Sequence, residues 1–113
     1  MHEISVLYEA VKMAERVATE NEVDSIKYMV LSVGELSGYL PMFFEQYFPI
    51  VTEDMALFKD TKLIVETVKG EALCDECQSL YNVMKNEGVC PKCKSREKTI
   101  LGGQEFMLKE IGV

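Results

Sequence analysis

Two closely spaced cysteine pairs constrain the fold of this chain more than any other feature. All four cysteines belong to two CxxC motifs, Cys74/Cys77 and Cys90/Cys93, separated by residues 78–89. Two thiolates at positions i and i+3 of a tight turn can reach one cation from the same side, and a second such turn completes a tetrahedral shell. Four soft thiolates at about 2.3 Å suit Zn²⁺. The spacing predicts a four-cysteine zinc site, with two redox dithiols or an iron site as alternatives.

The segment that carries these cysteines is poor in bulky apolar residues. Between residues 71 and 100 they are chiefly Leu80, Tyr81, Val83, Met84 and Val89. A segment of this size cannot bury a self-sufficient core, so metal must supply the stability. A closed four-sulfur shell leaves no open position for water or substrate. We therefore expect a structural zinc ion in an inserted zinc-ribbon subdomain.

Charge and composition argue against two classes of partner. The 113-residue chain has a formal net charge of −7, which disfavours a surface that neutralises nucleic-acid phosphates. The N-terminus lacks a charged stretch followed by an apolar run, and no segment is long and apolar enough to cross a bilayer. Free CxxC thiols are best kept in a reducing compartment. These features predict a cytoplasmic protein that binds neither nucleic acid nor membrane.

Helical periodicity marks two segments before the cysteines. The first helix is expected over residues 4–21 and the second over residues 44–51, where Pro49 should kink or divide it. The aromatic residues of the second segment are expected in the core. The apolar positions that recur at helical spacing in the first helix are Ile4, Leu7, Tyr8, Val11, Ala14, Val17 and Ala18.

Strand-like segments complete the predicted fold. Strands are expected over residues 25–35, 62–69 and 104–111, with a helical or loop piece near residues 54–58. The last strand must pair with the earlier ones to bury its apolar residues. We predict an α+β fold with a small mixed three-stranded sheet, two main helices and the inserted four-cysteine subdomain. The expected domains are residues 1–70 with 101–113, and residues 71–100.

The first three residues, Met1, His2 and Glu3, form a second candidate metal site. His2 is the only histidine, and a lone histidine is ordinarily a surface or core residue. Because the side chain of His2 is large, the initiator Met1 should be retained with a free α-amine. The amine, the deprotonated His2 amide and the imidazole Nδ1 can close a five-membered and a six-membered chelate ring, and the amide or carboxylate of Glu3 can fill a fourth position. This planar set suits Ni(II) or Cu(II), copper having the higher intrinsic affinity, and fits zinc poorly.

Several short motifs lie in order along essentially the whole chain. They are Met1-His2-Glu3, Gly34-Glu35-Leu36-Ser37-Gly38, Val51-Thr52-Glu53, Cys74-Asp75-Glu76-Cys77, Cys90-Pro91-Lys92-Cys93 and Leu108-Lys109-Glu110-Ile111. Together they resemble the HypA/HybF family of nickel metallochaperones. Except for the cysteine pairs, each motif alone is a weak indication of the family. The resemblance rests on the order and spacing of all the motifs together. One departure is the lack of histidines beside the cysteine pairs, which some family members have, so a histidine-based switch at the zinc site is not expected.

The resemblance implies a function, cofactors and partners. It implies a non-catalytic carrier that inserts nickel into [NiFe]-hydrogenase, with transient Ni²⁺ cargo at Met1, His2 and Glu3 in the α+β domain. It assigns structural Zn²⁺ to the four cysteines. The implied partners are the GTPase HypB, the hydrogenase large subunit and, in some organisms, a urease accessory protein. The implied oligomeric state is a monomer or weak homodimer.

Two other functions remain open from the residues. A zinc-ribbon protein adaptor or nucleic-acid module would need neither a free N-terminus nor His2, although the acidic charge disfavours the nucleic-acid version. A dithiol oxidoreductase would need a labile disulfide and a thiol of depressed pKa in one cysteine pair. One tightly held zinc ion per chain would exclude the oxidoreductase, because it would occupy all four thiols.

Overall fold

The helices and strands follow one another in the predicted order. The computed structural model describes residues 2–113, with side chains from Glu3 onward. A 3₁₀ turn at Ala56–Phe58 follows the second helix, as expected. The cysteine segment contributes three short strands that the sequence did not predict. The elements are α1 (His2–Glu20), β1 (Tyr28–Gly34), α2 (Pro41–Val51), β2 (Lys62–Val68), β3 (Glu71–Cys74), β4 (Leu80–Asn82), β5 (Lys98–Gly102) and β6 (Phe106–Gly112).

The larger sheet is three-stranded and mixed, as predicted. Its order is β2-β1-β6, with β1 parallel to β2 and antiparallel to β6. A parallel pair needs a crossover connection, and α2 lies within it. A register shift between Val30 and Leu31 leaves Lys109 of β6 without a partner in the ladder, which is a bulge. Because β6 follows the cysteine segment, that segment is inserted between two strands of this sheet.

The core of the larger sheet lies between the strands and both helices. Alternate residues of a strand face the same side, and Met29, Leu31 and Val33 of β1 are all buried. Phe44 of α2 stacks on Phe106 of β6 with a centroid distance of 5.0 Å. Full burial of one such side chain contributes about 1.5–3 kcal/mol. The buried residues contributed by α1 are Leu7, Ala10, Val11, Ala14 and Ala18.

At two places, α1 and α2 differ from what the sequence pattern alone suggests. On α1, Tyr8 and Val17 are 52% and 38% exposed, because they lie roughly 80–100° around the helix from the line of buried residues. Ile4 is also exposed. On α2, the helix continues through Pro49, so Pro49 does not divide it. A kink at this exposed position stays a prediction.

Three glycines allow a close approach where the chain enters and leaves the cysteine segment. Gly70 follows β2, Gly103 follows β5, and Gly34 ends β1. A Cβ atom on Gly34 would collide with the carbonyl of Gly103. A Cβ atom on Gly103 would lie 2.5 Å from the Cα atom of Gly70, and Gly103 has a φ of +94° that other residues rarely adopt. Only glycine fits this crossing of the two connections.

We expect Gly103→Ala to lower the free energy of unfolding by on the order of 3 kcal/mol, since it combines overpacking with a strained backbone. Gly102→Ala is a matched control, because a Cβ atom on Gly102 would meet nothing within 4 Å and its φ is not in the left-handed region. Urea denaturation of both metal-loaded variants measures the difference. Equal midpoints for the two variants would refute the crowding at Gly103.

No helix in the described part of the chain is long and apolar enough to cross a membrane. The described residues form two sheets and two separate buried clusters. The division into residues 1–70 with 101–113, and residues 71–100, stays a prediction.

Candidate metal centre

Each cysteine pair lies on a tight turn built by backbone hydrogen bonds. In the first turn, the N–H of Cys74 donates to the carbonyl of Ser79 at 2.8 Å, and the N–H of Gln78 donates to the carbonyl of Cys74 at 2.9 Å. Gln78 has a φ of 65°, which reverses the chain immediately after Cys77. This turn connects β3 to β4 and places both thiols of the first pair on one side.

The second turn repeats the geometry of the first. The N–H of Cys90 donates to the carbonyl of Ser95, and the N–H of Lys94 donates to the carbonyl of Cys90, both at 2.9 Å. Lys94, immediately after Cys93, has a φ of 66°. The repeated pattern CxxCxS in the sequence corresponds to this repeated turn. That pattern was available from the sequence, but only the cysteines were recognised.

The four sulfur atoms form a compact cluster. All four Sγ atoms lie within 4.8 Å of one another. The distances are 3.5 Å from Cys74 to Cys93 and 3.5 Å from Cys77 to Cys90. Sulfurs about 2.3 Å from a tetrahedral metal are roughly 3.8 Å apart, so the cluster fits a single ion. Both distances greatly exceed the disulfide length of about 2.05 Å, and the cysteines are free thiols.

The surroundings of the cluster favour metal binding over four free thiols. Hydrogen bonds from the Ser79 side chain and backbone lower the pKa of Cys77 to about 6. The backbone N–H of Ser95 lowers the pKa of Cys93, but the hydrogen bond to Cys74, burial and the other two thiols outweigh it and raise that pKa to about 12. Four thiolates this close repel one another. A divalent cation removes that repulsion and allows all four to ionise.

The apolar packing around the cluster is small. The second sheet has the order β4-β3-β5. The buried cluster of this segment consists of Ala72, Cys74 and Tyr81 from the sheet and Cys90 from the second cysteine turn. Of the apolar residues singled out in this segment, Leu80 and Met84 are 69% and 59% exposed. Two of the four buried residues therefore belong to the cysteine cluster, and the core is even smaller than the sequence suggested.

The N-terminal candidate site lies only partly within the described residues. Met1 and the side chain of His2 lie outside them, whereas Glu3 is 7% exposed at the start of α1. The N–H of Leu40, immediately before α2, donates to Oε2 of Glu3 at 3.2 Å. The backbone N–H groups of Glu3 itself and of Leu40 lower the pKa of this carboxyl. The structure does not group Glu3 with the four cysteines, which are the only metal-ligand cluster of three or more residues among the described side chains.

Comparisons with known proteins match the whole chain. The sequence profile of the family described as "Hydrogenase/urease nickel incorporation, metallochaperone, hypA" covers residues 1–113. The hydrogenase maturation factor HypA of Geobacter metallireducens is 30% identical over 113 residues, which are 100% of this chain and 99% of that protein. The factor of the same name from Aquifex aeolicus is 32% identical over 111 residues, covering 98% and 96% of the two chains.

Solved structures are similar in fold as well as in sequence. The solution structure of the Ni metallochaperone HypA from Helicobacter pylori has a TM-score of 0.67 and 28% identity, covering 97% of this chain and 95% of that one. A second solution structure of a HypA protein has a TM-score of 0.70 and 29% identity, covering 99% and 95%. The similarity therefore includes both the sheet with its helices and the four-cysteine segment.

Proposed function

Because this chain belongs to the HypA family of hydrogenase and urease nickel-incorporation metallochaperones, we propose that it binds one Ni(II) ion at its N-terminus and delivers that ion for [NiFe]-hydrogenase maturation. The match to the family over residues 1–113 is the observation that carries the proposal. The chemistry of the first three residues supports it. The protein is proposed to carry the metal without catalysing a reaction.

The proposed nickel ligands are the α-amine of Met1, the deprotonated amide and imidazole of His2, and the amide or carboxylate of Glu3. These donors suit a planar Ni(II) site. The contact between Glu3 and the N–H of Leu40 orients the start of α1 against the start of α2. The amine, amide and imidazole must lose protons to bind, so nickel affinity should fall as pH falls. Such reversible binding suits a carrier.

The four cysteines are proposed to hold a structural zinc ion. Their sulfur spacing fits a tetrahedral ion, and zinc accepts four thiolates without a geometric penalty. The two sites would then select their metals by geometry, tetrahedral sulfur for zinc and planar nitrogen for nickel. A closed shell at Cys74, Cys77, Cys90 and Cys93 leaves zinc no catalytic position. A dithiol oxidoreductase is disfavoured for the same reason.

The proposed partners follow from the maturation role of the family. A carrier needs a donor or acceptor for its ion, and we propose the GTPase HypB, the [NiFe]-hydrogenase large subunit and, for urease, its accessory proteins. These contacts would take place in the cytoplasm. The net charge of −7 supports protein partners over nucleic acid.

A nickel titration tests the N-terminal chelate directly. We expect the protein that begins at Met1 to bind one nickel ion per chain with the absorption of a planar site. The same protein acetylated at Met1 should lose this binding, because an acylated α-amine cannot coordinate the ion. Calorimetry at one pH, with zinc content measured in both samples, provides the comparison. Equal nickel affinity in the acetylated protein would refute the amine-based chelate.

A further inference from the structure

One carboxylate connects the larger sheet to the four-cysteine segment. Glu35 follows β1, and its Oε1 accepts a hydrogen bond from the N–H of Gly70 at 2.8 Å. The same oxygen lies 3.4 Å from the side-chain nitrogen of Asn82, at the end of β4. Gly70 belongs to the connection that enters the cysteine segment, and Asn82 belongs to that segment itself. A single side chain of the α+β fold thus contacts the entering connection and the second sheet.

The backbone around Glu35 holds both connections at the same place. The N–H of Glu35 donates to Val68 at the end of β2, at 2.8 Å. The N–H of Leu36 donates to the carbonyl of Gly103 in the exit connection, at 2.6 Å. The carbonyl of Gly70 in turn accepts from the N–H of Val83, at 2.9 Å. The turn after β1 is therefore the point where the two units meet.

The other end of this turn reaches the start of α1. The hydroxyl of Ser37 donates to the carbonyl of Gly34 at 2.7 Å and accepts from the N–H of Tyr39 at 3.2 Å. The next residue, Leu40, donates its N–H to Glu3. Residues 35–40 are thus fastened to the second sheet at one end and to the first turn of α1 at the other.

We propose that Glu35 is a positioning residue that sets the orientation of the four-cysteine unit relative to the start of α1. Both connections between the units contain glycine, whose backbone is the least restricted of all residues. Glu35 places one side-chain acceptor between the entering connection and β4. Without it, the orientation of the two units would depend only on the backbone contacts of the glycine connections. This inference concerns orientation and does not depend on nickel binding.

Residual dipolar couplings of the zinc-loaded protein test this role. In the unmodified protein, amides of β1 and amides of β3 should fit one common alignment tensor. Glu35→Ala should lose the common tensor while the chemical shifts within each unit and the zinc content stay the same. Glu35→Gln should retain it, because the amide oxygen can still accept from Gly70 and Asn82. Glu45→Ala, at an exposed glutamate on α2, is the matched control and should retain it as well.

A second variant acts from the other side of the contact. Asn82→Asp keeps the oxygen that accepts from the N–H of Lys85 at 2.8 Å but places a like charge opposite Glu35. Asn82→Asp should lose the common tensor. It therefore tests the same contact in case Glu35→Ala does not fold. A common tensor retained in both Glu35→Ala and Asn82→Asp would overturn the proposal, and so would its loss in Glu45→Ala or Glu35→Gln.

Discussion

Removal of the metal from the four-cysteine unit is expected to unfold residues 71–100 while α1, α2 and the sheet β2-β1-β6 stay folded. The unit buries only Ala72 and Tyr81 besides the proposed ligands Cys74 and Cys90, so its apolar burial cannot offset the entropy of ordering the chain. Structural zinc contributes about 10–16 kcal/mol of apparent binding free energy near neutral pH. Loss of that contribution leaves the unit without a folded state.

Amide hydrogen exchange in the presence of a chelator measures this outcome. The backbone amides of Ala72 and Tyr81 should lose their protection from exchange, whereas the amides of Met29 and Leu31 in β1 should stay protected. Cys90→Ser should have the same effect without chelator. Met84→Ser is the control, because Met84 is in the same unit but 59% exposed. Protection of Ala72 in protein verified to be free of metal would contradict the proposed structural role of zinc.

His2→Ala is expected to lower nickel affinity by more than about 100-fold, since loss of an outer-shell partner alone costs about 10–100-fold. The substitution removes the imidazole and with it the six-membered chelate ring. Ile4→Ala is a suitable control, because Ile4 lies on α1 with a 44% exposed side chain and is not a proposed ligand. Calorimetric titration should show loss of nickel binding in the first variant only. An affinity for His2→Ala within a few-fold of the unmodified protein would remove histidine from the site.

The features predicted correctly from the sequence are mostly local ones. The cysteine cluster was predictable because i, i+3 spacing within each pair brings two thiols together on one turn. The mixed sheet and the order of its elements were predictable because apolar periodicity and the position of the last strand leave few pairings. The exposure of some apolar positions on α1 was not predictable, because periodicity identifies an apolar stripe on a helix but not the width of that stripe. Tyr8 and Val17 lie at the margins of that stripe.

The features missed by the sequence depend on contacts between distant residues. Strands β3, β4 and β5 are too short for a period-two pattern, and they form because the cysteine turns bring them together. Pro49 was expected to kink or divide α2 because its missing donor is a local signal, but the helix continues through it to Val51. The hydrogen bond of Glu35 to Gly70 joins residues 35 positions apart, which no local pattern reports.

The insertion of the four-cysteine unit between β2 and β6 has a consequence for folding during synthesis. The unit needs only residues within its own segment, whereas β1 cannot pair with β6 until residues 106–112 have left the ribosome. Closing a flexible loop of about thirty residues costs on the order of 3 kcal/mol. A metal-loaded unit brings Gly70 against Gly103 in advance and thereby shortens the loop that β6 must close. Zinc acquired by the nascent chain would therefore speed the completion of a sheet to which it is not bound.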